Sequence, residues 1–274
     1  MQQVLIAGQW RDAQHVSSFQ AVNPATREAL ALEFPVSQWQ DCDEALDAAV
    51  AASQSLRSIS AVQRAEFLEA YATAIEAQAE AIVDMAHLET AYPKETRLAG
   101  GELPRTTDQL RQAAAAARSE SWRVATIDTA SGIRSQYGAI GPVAVFGPNN
   151  FPLAFGSVSG GDFVAAIAAG NPVIAKANSS HPGTTQLFAQ CALEAVQATG
   201  MPEGLIQLIY RTRHEDGERL VADSRLGATG YTGSRHAGLK LKSAADAVGN
   251  PIYLELSSVN PVVILSAAME QRGA

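Results

Sequence analysis

Cysteine is scarce in this chain: its 274 residues include two, Cys42 and Cys191. Neither lies in a CxxC pair or a Cys/His cluster with zinc-ligand spacing, and no two of His15, His87, His181, His214 and His236 have metal spacing, so no metal site is expected. Basic residues are outnumbered: the net charge is −8 and the pI near 5.2. Without a basic stretch to neutralise phosphates at scale, nucleic acid is excluded as a partner. A small anionic cofactor is still allowed, because a few backbone amides and one lysine suffice to hold it. No basic n-region followed by a long apolar run opens the chain, so no secretory signal is read at MQQVLIAGQW. No membrane span is expected either, since the most apolar stretch, 153–176, is broken by Gly156, Ser157, Ser159, Gly160, Gly161 and Asp162. From these absences a cytoplasmic location is expected. Internal repeats, low-complexity linkers and a GxGxxG fingerprint are also lacking.

What is present is a globular chain, 47% hydrophobic, long enough for one large domain or one domain with a subdomain. Residues 1–35 read as short strands and turns, VLIAG, QWRDA and the turn NPAT at 23–26. Helical periodicity covers Glu44 to Leu56 and then Val62 to Thr90, where Leu68, Ala72, Ile75, Ala79, Ile82 and Ala86 alternate steps of four and three. The spacing predicts one long amphipathic helix ended by Pro93, with a further helix over Asp108–Glu120. After Ile133 short apolar strands alternate with helices. Strands are expected at Val143–Phe146, Pro172–Ala175, Leu205–Tyr210, Ala228–Tyr231 and Ile252–Leu256, and helices near 153–169, 184–199, 215–223 and 234–247. That alternation predicts an α/β fold with a doubly wound, Rossmann-like parallel sheet behind an N-terminal leader of helices and strands. The leader spans 1–132, the core 133–265, and 266–274 begins something further. Val262–Leu265 reads as another strand or the first leg into a second domain.

The residues that carry chemistry fall where strands give way to helices, the carboxyl-end crevice in which such sheets bind ligands. Lys176 follows the strand PVIA, either as a solvated strand end or as a cation reaching into that crevice. The following NSSHPGT offers hydroxyls to cap the next helix. Within YTGSRHAG, Gly233 and Ser234 stand at a strand-to-helix junction. Amides there can hold a pyrophosphate with no Cβ in the way, or the glycine can simply serve the turn. Asn150 sits between Pro148 and Pro152, which fix the direction of its amide. It is a turn former or an oxyanion donor. Glu255 interrupts the apolar strand IYLEL. It faces solvent on an edge, or it is buried in a central strand with a raised pKa suited to a general base. Cys191 shares a helical stripe with Leu187, Ala195 and Ala198 and reads as a core residue. Cys42 lies among Asp41, Asp43 and Glu44, which raise a thiol pKa, and His181 reads as structural.

The segments GPNNFPL (147–153), VIAKANSSHP (173–182), YTGSRHAG (231–238) and LELSSVNP (254–261), in that order, resemble the aldehyde dehydrogenase superfamily over essentially the whole chain. Within it, AGNPVIAKANSSHPGT, LELSSVNPVVIL and ETAYPKETRLAGGELPRTTDQL look most like bacterial NADP-preferring members and the 2-oxoglutarate semialdehyde (2,5-dioxopentanoate) dehydrogenases. The resemblance implies oxidation of a small aldehyde to an acid. Asn150 would be the oxyanion-hole amide and Glu255 the general base. Lys176 would bind the adenosine ribose, Gly233 and Ser234 the pyrophosphate, and Phe146 and Pro148 would complete the cofactor site. Ser179 stands where NAD-specific relatives often carry a ribose-binding glutamate, which favours NADP with NAD possible. The family's nucleophilic cysteine lies some tens of residues beyond the glutamate. Only nineteen residues follow Glu255 and none is cysteine, so the chain reads as a truncated, inactive cofactor-binding portion with its catalytic lobe absent and its parent enzyme a homo-oligomer. A non-catalytic nucleotide-binding or assembly module is the competing reading.

Overall fold

In the computed structural model, which describes residues 1–272, four strands lead the chain: β1 (Val4–Ile6), β2 (Gln9–Arg11), β3 (His15–Val22) and β4 (Ala29–Ser37). Helices α1 (Trp39–Leu56), α2 (Ala61–Ala77) and α3 (Ala79–Thr90) follow. A π-helical stretch at Lys94–Glu102 then runs directly into α4 (Leu103–Ser119). The long helix expected between Val62 and Thr90 is therefore two, because Gln78 leaves helical geometry at φ −105°, ψ 16°. The break turns each half toward a partner of its own: α2 packs on α4, and α3 on the π-helix. α2 opens with a capping box, Ser60 and Gln63 serving each other's backbone amides.

A small hairpin of β5 (Thr126–Ile127) and β6 (Arg134–Ser135) separates this part from β7 (Val143–Phe146), α5 (Gly161–Ala168), β8 (Val173–Lys176) and α6 (Pro182–Thr199). Then come β9 (Ile206–Ile209), β10 (Arg211–Thr212), α7 (His214–Val221), β11 (Ala228–Thr232), α8 (Arg235–Asp246), β12 (Ile252–Glu255) and α9 (Ser266–Arg272). The helix expected over 153–169 shrinks to α5. Pro152 and Gly156 favour turns ahead of it, Ser159 Oγ donates to the Leu153 carbonyl at 2.6 Å, and a Cβ on Gly160 would come within 2.6 Å of Phe155 backbone. Val262–Leu265 forms no strand and lies exposed, Val263 at 81%. Of the run 266–274, Gly273 and Ala274 lie outside the described residues.

The main sheet has the order β12-β11-β7-β8-β9-β1-β2, with the first five strands parallel and β1 and β2 antiparallel at one end. The buried runs VAVF, VIA and IQLI account for its middle, since strands covered by helices on both faces are apolar throughout. From β7 the chain winds outward through β8 and β9, then returns to the other side of β7 for β11 and β12. The order reverses between β7 and β11, and a crevice opens above their carboxyl ends. A second, three-stranded sheet of β3, β4 and β10 places Arg211 beside Val36, next to that crevice. Tyr71 ties the helical layer to the site side, its hydroxyl donating to the Val158 carbonyl at 3.1 Å and its ring meeting Phe163 edge-on.

Candidate functional site

Two adjoining clefts occupy the crevice. The first, about 440 Å³, is lined by the ends of β7, β8 and β11 and the starts of α7 and α8. Phe146, Lys176, Ser179, Gly233 and Ser234 all face it. Lys176 ends β8 half-buried. Desolvation, with the charge of Arg211 adding, pushes its ammonium down to about 8. Arg211, Arg213 and Lys240 add further positive charge against a single lining carboxylate, Glu218. Arg213 is committed to Asp216 at 3.0 Å, whereas Arg211 rests over the Phe19 ring and forms no ion pair among the described residues. This donor set suits a polyanion.

The loop after β8 is fixed to the loop after β7. Asn178 Nδ2 donates to the Gly147 carbonyl at 3.2 Å, and buried His181 Nε2 pairs with the Pro148 carbonyl at 2.9 Å. Burial lowers the His181 pKa, with Lys176 contributing, so the ring is a neutral structural donor, as expected. The hydroxyls of NSSHPGT do not cap α6 at its N-cap residue. Glu89 of α3 reaches across and accepts from the Gly183 and Thr184 amides and the Thr184 hydroxyl at 2.7–2.9 Å. Gly233 also has a steric role. A Cβ there would meet the Tyr231 hydroxyl at 2.7 Å, so the glycine makes room for the tyrosine. Ser234 is the N-cap of α8, its hydroxyl accepting from Ala237 N at 3.3 Å.

The second cleft, about 570 Å³, shares Asn149, Thr232, Gly233 and Ser234 with the first and adds Pro148, Asn150, Arg105, Phe155 and Glu255. Asn150 and Glu255 therefore face one space from opposite sides of the β7/β11 switch. Glu255 is not in a central strand: β12 is the sheet edge, and the alternation of Ile252 and Leu254 against Tyr253 and Glu255 covers one face and leaves the other exposed. A nearby carboxylate that sequence spacing did not reveal is Asp162, at the start of α5 against Gly230. Its pKa is raised by desolvation and then by the Glu255 charge.

Neither cysteine takes part. Burial, then Asp216 and Asp41, push the Cys42 thiol up to about 12. Burial and Glu194 push Cys191 to about 12, and its Sγ contacts the Ala74 carbonyl at 3.7 Å. Asn178, Arg211 and Arg105 went unread because an asparagine and two arginines on a linear sequence carry no spacing signal. Arg211 comes to the crevice on β10 and Arg105 on α4.

A Rossmann-like sheet thus carries an amide and a carboxylate on one cleft and cations on the next, at the carboxyl-end crevice where such sheets bind ligands. The aldehyde dehydrogenase family model matches residues 10–272, and the chain belongs to that family. It is 41% identical over 268 residues to alpha-ketoglutaric semialdehyde dehydrogenase 2 of Azospirillum brasilense, covering 93% of this chain and 50% of that protein. It is 37% identical over 274 residues to alpha-ketoglutaric semialdehyde dehydrogenase of Acinetobacter baylyi, covering 96% and 51%. The chain thus spans about half the length of these curated relatives. Its fold matches an aldehyde dehydrogenase from Bartonella henselae (TM-score 0.82, 24% identity, 93% of this chain and 52% of that one). It also matches aldehyde dehydrogenase C from Pseudomonas syringae, solved with NAD+ and octanal (TM-score 0.82, 24% identity, 97% and 52%). No helix among the described residues is long and apolar enough to cross a membrane.

Proposed function

We propose that this chain forms the cofactor half of an NADP-preferring enzyme that oxidises 2,5-dioxopentanoate, the semialdehyde of 2-oxoglutarate, to the diacid. The observation that carries this reading is the pair of joined clefts, one cationic and one holding Asn150 with Glu255. NADP, when bound, supplies the hydride acceptor. Lys176 donates to ribose hydroxyls, and the first-turn amides of α8, led by Ser234, meet the pyrophosphate at the positive helix end. Arg211, which forms no ion pair among the described residues and lines the same cleft as Ser179, would receive the 2′-phosphate, where a glutamate at 179 would repel it. In the second cleft the Asn150 amide donates to the oxyanion that develops on the aldehyde oxygen, and Glu255 takes a proton from the hydrolytic water. Arg105 is the cation of that cleft, stacked over Phe155 at 4.8 Å, and it offers a partner for the carboxylate of an oxo acid. The relatives named for alpha-ketoglutaric semialdehyde support the same substrate.

The thiolate this chemistry needs is not supplied by Cys42 or Cys191, so the chain alone binds cofactor without turning over. The reading carries with it a cytoplasmic, homo-oligomeric enzyme. The test is NADPH formation from 2,5-dioxopentanoate by the purified chain, and by the chain joined to the second half of the Azospirillum brasilense enzyme. Turnover by the joined protein only is expected. Turnover by the chain alone would overturn the assignment of inactivity, and no turnover by a folded joined protein would overturn the reaction.

A further inference from the structure

The segment ETRLAGGELPR, between Glu95 and Arg105, makes no direct contribution to the cofactor cleft, yet most of it forms the π-helix. Isolated π-turns are energetically poor and recur at functional sites. Here the wide turn needs Gly100, whose Cβ would lie 2.6 Å from the Glu95 carbonyl. The widening brings Arg97 and Glu102 together on one side, with Arg97 Nε donating to Glu102 Oε1 at 2.9 Å. Glu102 is buried, its side chain 4% exposed, while that of Arg97 is 38% exposed.

Both side chains end on the loop that carries Asn150. Arg97 Nη2 donates to the Asn150 carbonyl at 3.1 Å, and its guanidinium lies 4.2 Å from the Phe151 ring centroid and 5.1 Å from that of Tyr92. Glu102 Oε2 accepts from Leu153 N at 3.1 Å and Ala154 N at 3.3 Å. The loop is thus gripped on both sides of Pro152 by one charge-neutral pair. Bonds to ionised groups are stronger than neutral ones and directional. They restrain the backbone from which the Asn150 amide projects into the second cleft.

From this grip we infer that Arg97 and Glu102 are positioning residues for Asn150, acting through the backbone at 150–154 and not by contact with substrate. The inference rests on the oxyanion role proposed for Asn150. Its geometric part is tested on the chain as it stands, by peptide-resolved amide exchange of the native protein, Arg97→Ala and the near-isosteric Glu102→Gln. Exchange at 148–155 should rise about tenfold in both variants while β8 and α6 stay unchanged. Unchanged exchange at 148–155, or a uniform rise throughout, would overturn the inference. The catalytic part uses the same variants joined to the second half of the A. brasilense enzyme, beside Asn150→Ala. Arg97→Ala should lower kcat about 10- to 100-fold and leave the KM for NADP within twofold. A large loss with Asn150→Ala, about 100-fold or more, and none with Arg97→Ala would overturn the positioning role. No loss with either would instead sink the oxyanion role of Asn150, and the inference with it.

Discussion

Lys176 illustrates how a desolvated charge works against stability. Its place at the end of β8 desolvates the ammonium and sets it near Arg211, which lowers its pKa to about 8 from an ordinary lysine value near 10.5. Below about 8 the folded and unfolded chains both hold the proton, and the folded one bears the full cost of the buried charge. Between about 8 and 10.5 the folded chain releases its proton first, so that cost is relieved as pH rises. Lys176→Met should therefore raise Tm at pH 7, by about 2–4 °C if the relief is near 1 kcal/mol, with the gain fading toward pH 10. Calorimetric scans at the two pH values check this. Cofactor affinity should run the other way: it falls as pH rises through about 8, and Lys176→Ala weakens NADP binding by about 1.5–3 kcal/mol at pH 7. Affinity unmoved by the alanine would remove Lys176 from the site. The lysine was legible in the sequence because it directly follows an apolar strand. The neighbouring cation Arg211 was not, because it approaches from the second sheet through the pairing of β10 with β4.

At the scale of elements, the N-terminus of α6 is held from outside. Glu89 takes two amides and a hydroxyl of the first turn, and burial pushes its carboxyl up to about 7 against the pull of those donors. Replacing it with alanine leaves buried donors unpaired, at a cost of about 1–3 kcal/mol, and loosens the loop of Asn178 and His181 ahead of the helix. Denaturant unfolding of Glu89→Ala gives the first quantity. A change within about 0.5 kcal/mol would show that water satisfies those donors. The α6 helix itself was legible, expected near 184–199 and found over Pro182–Thr199, between a proline start and an αL glycine at 200. Its cap was not, since the carboxylate comes from 94 residues earlier. The same limit explains α2 and α3. Their periodicity runs unbroken through Gln78, and only the two sets of packing partners require the kink.

For the whole molecule, strand alternation foretold the parallel sheet, and the four motifs did fall at its carboxyl-end crevice. Sequence did not reveal that β12 is outermost, because strand order depends on the return of the chain after β9. That order leaves Glu255 and Tyr253 on an open face and the apolar run Val262–Leu265 in solvent. Limited proteolysis should cut first within 257–265, ahead of any site in the sheet, because that run has neither ladder hydrogen bonds nor packing. First cleavage within 1–250 would contradict the assignment of this run as the least protected part.

The most direct measurement is calorimetric titration of the purified 274-residue chain with NADP and, separately, NAD, repeated on Arg211→Ala. The account predicts saturable NADP binding, with NAD at least about tenfold weaker and the difference erased when the guanidinium that meets the 2′-phosphate is gone. A folded chain that binds neither dinucleotide, or that prefers NAD, would contradict it.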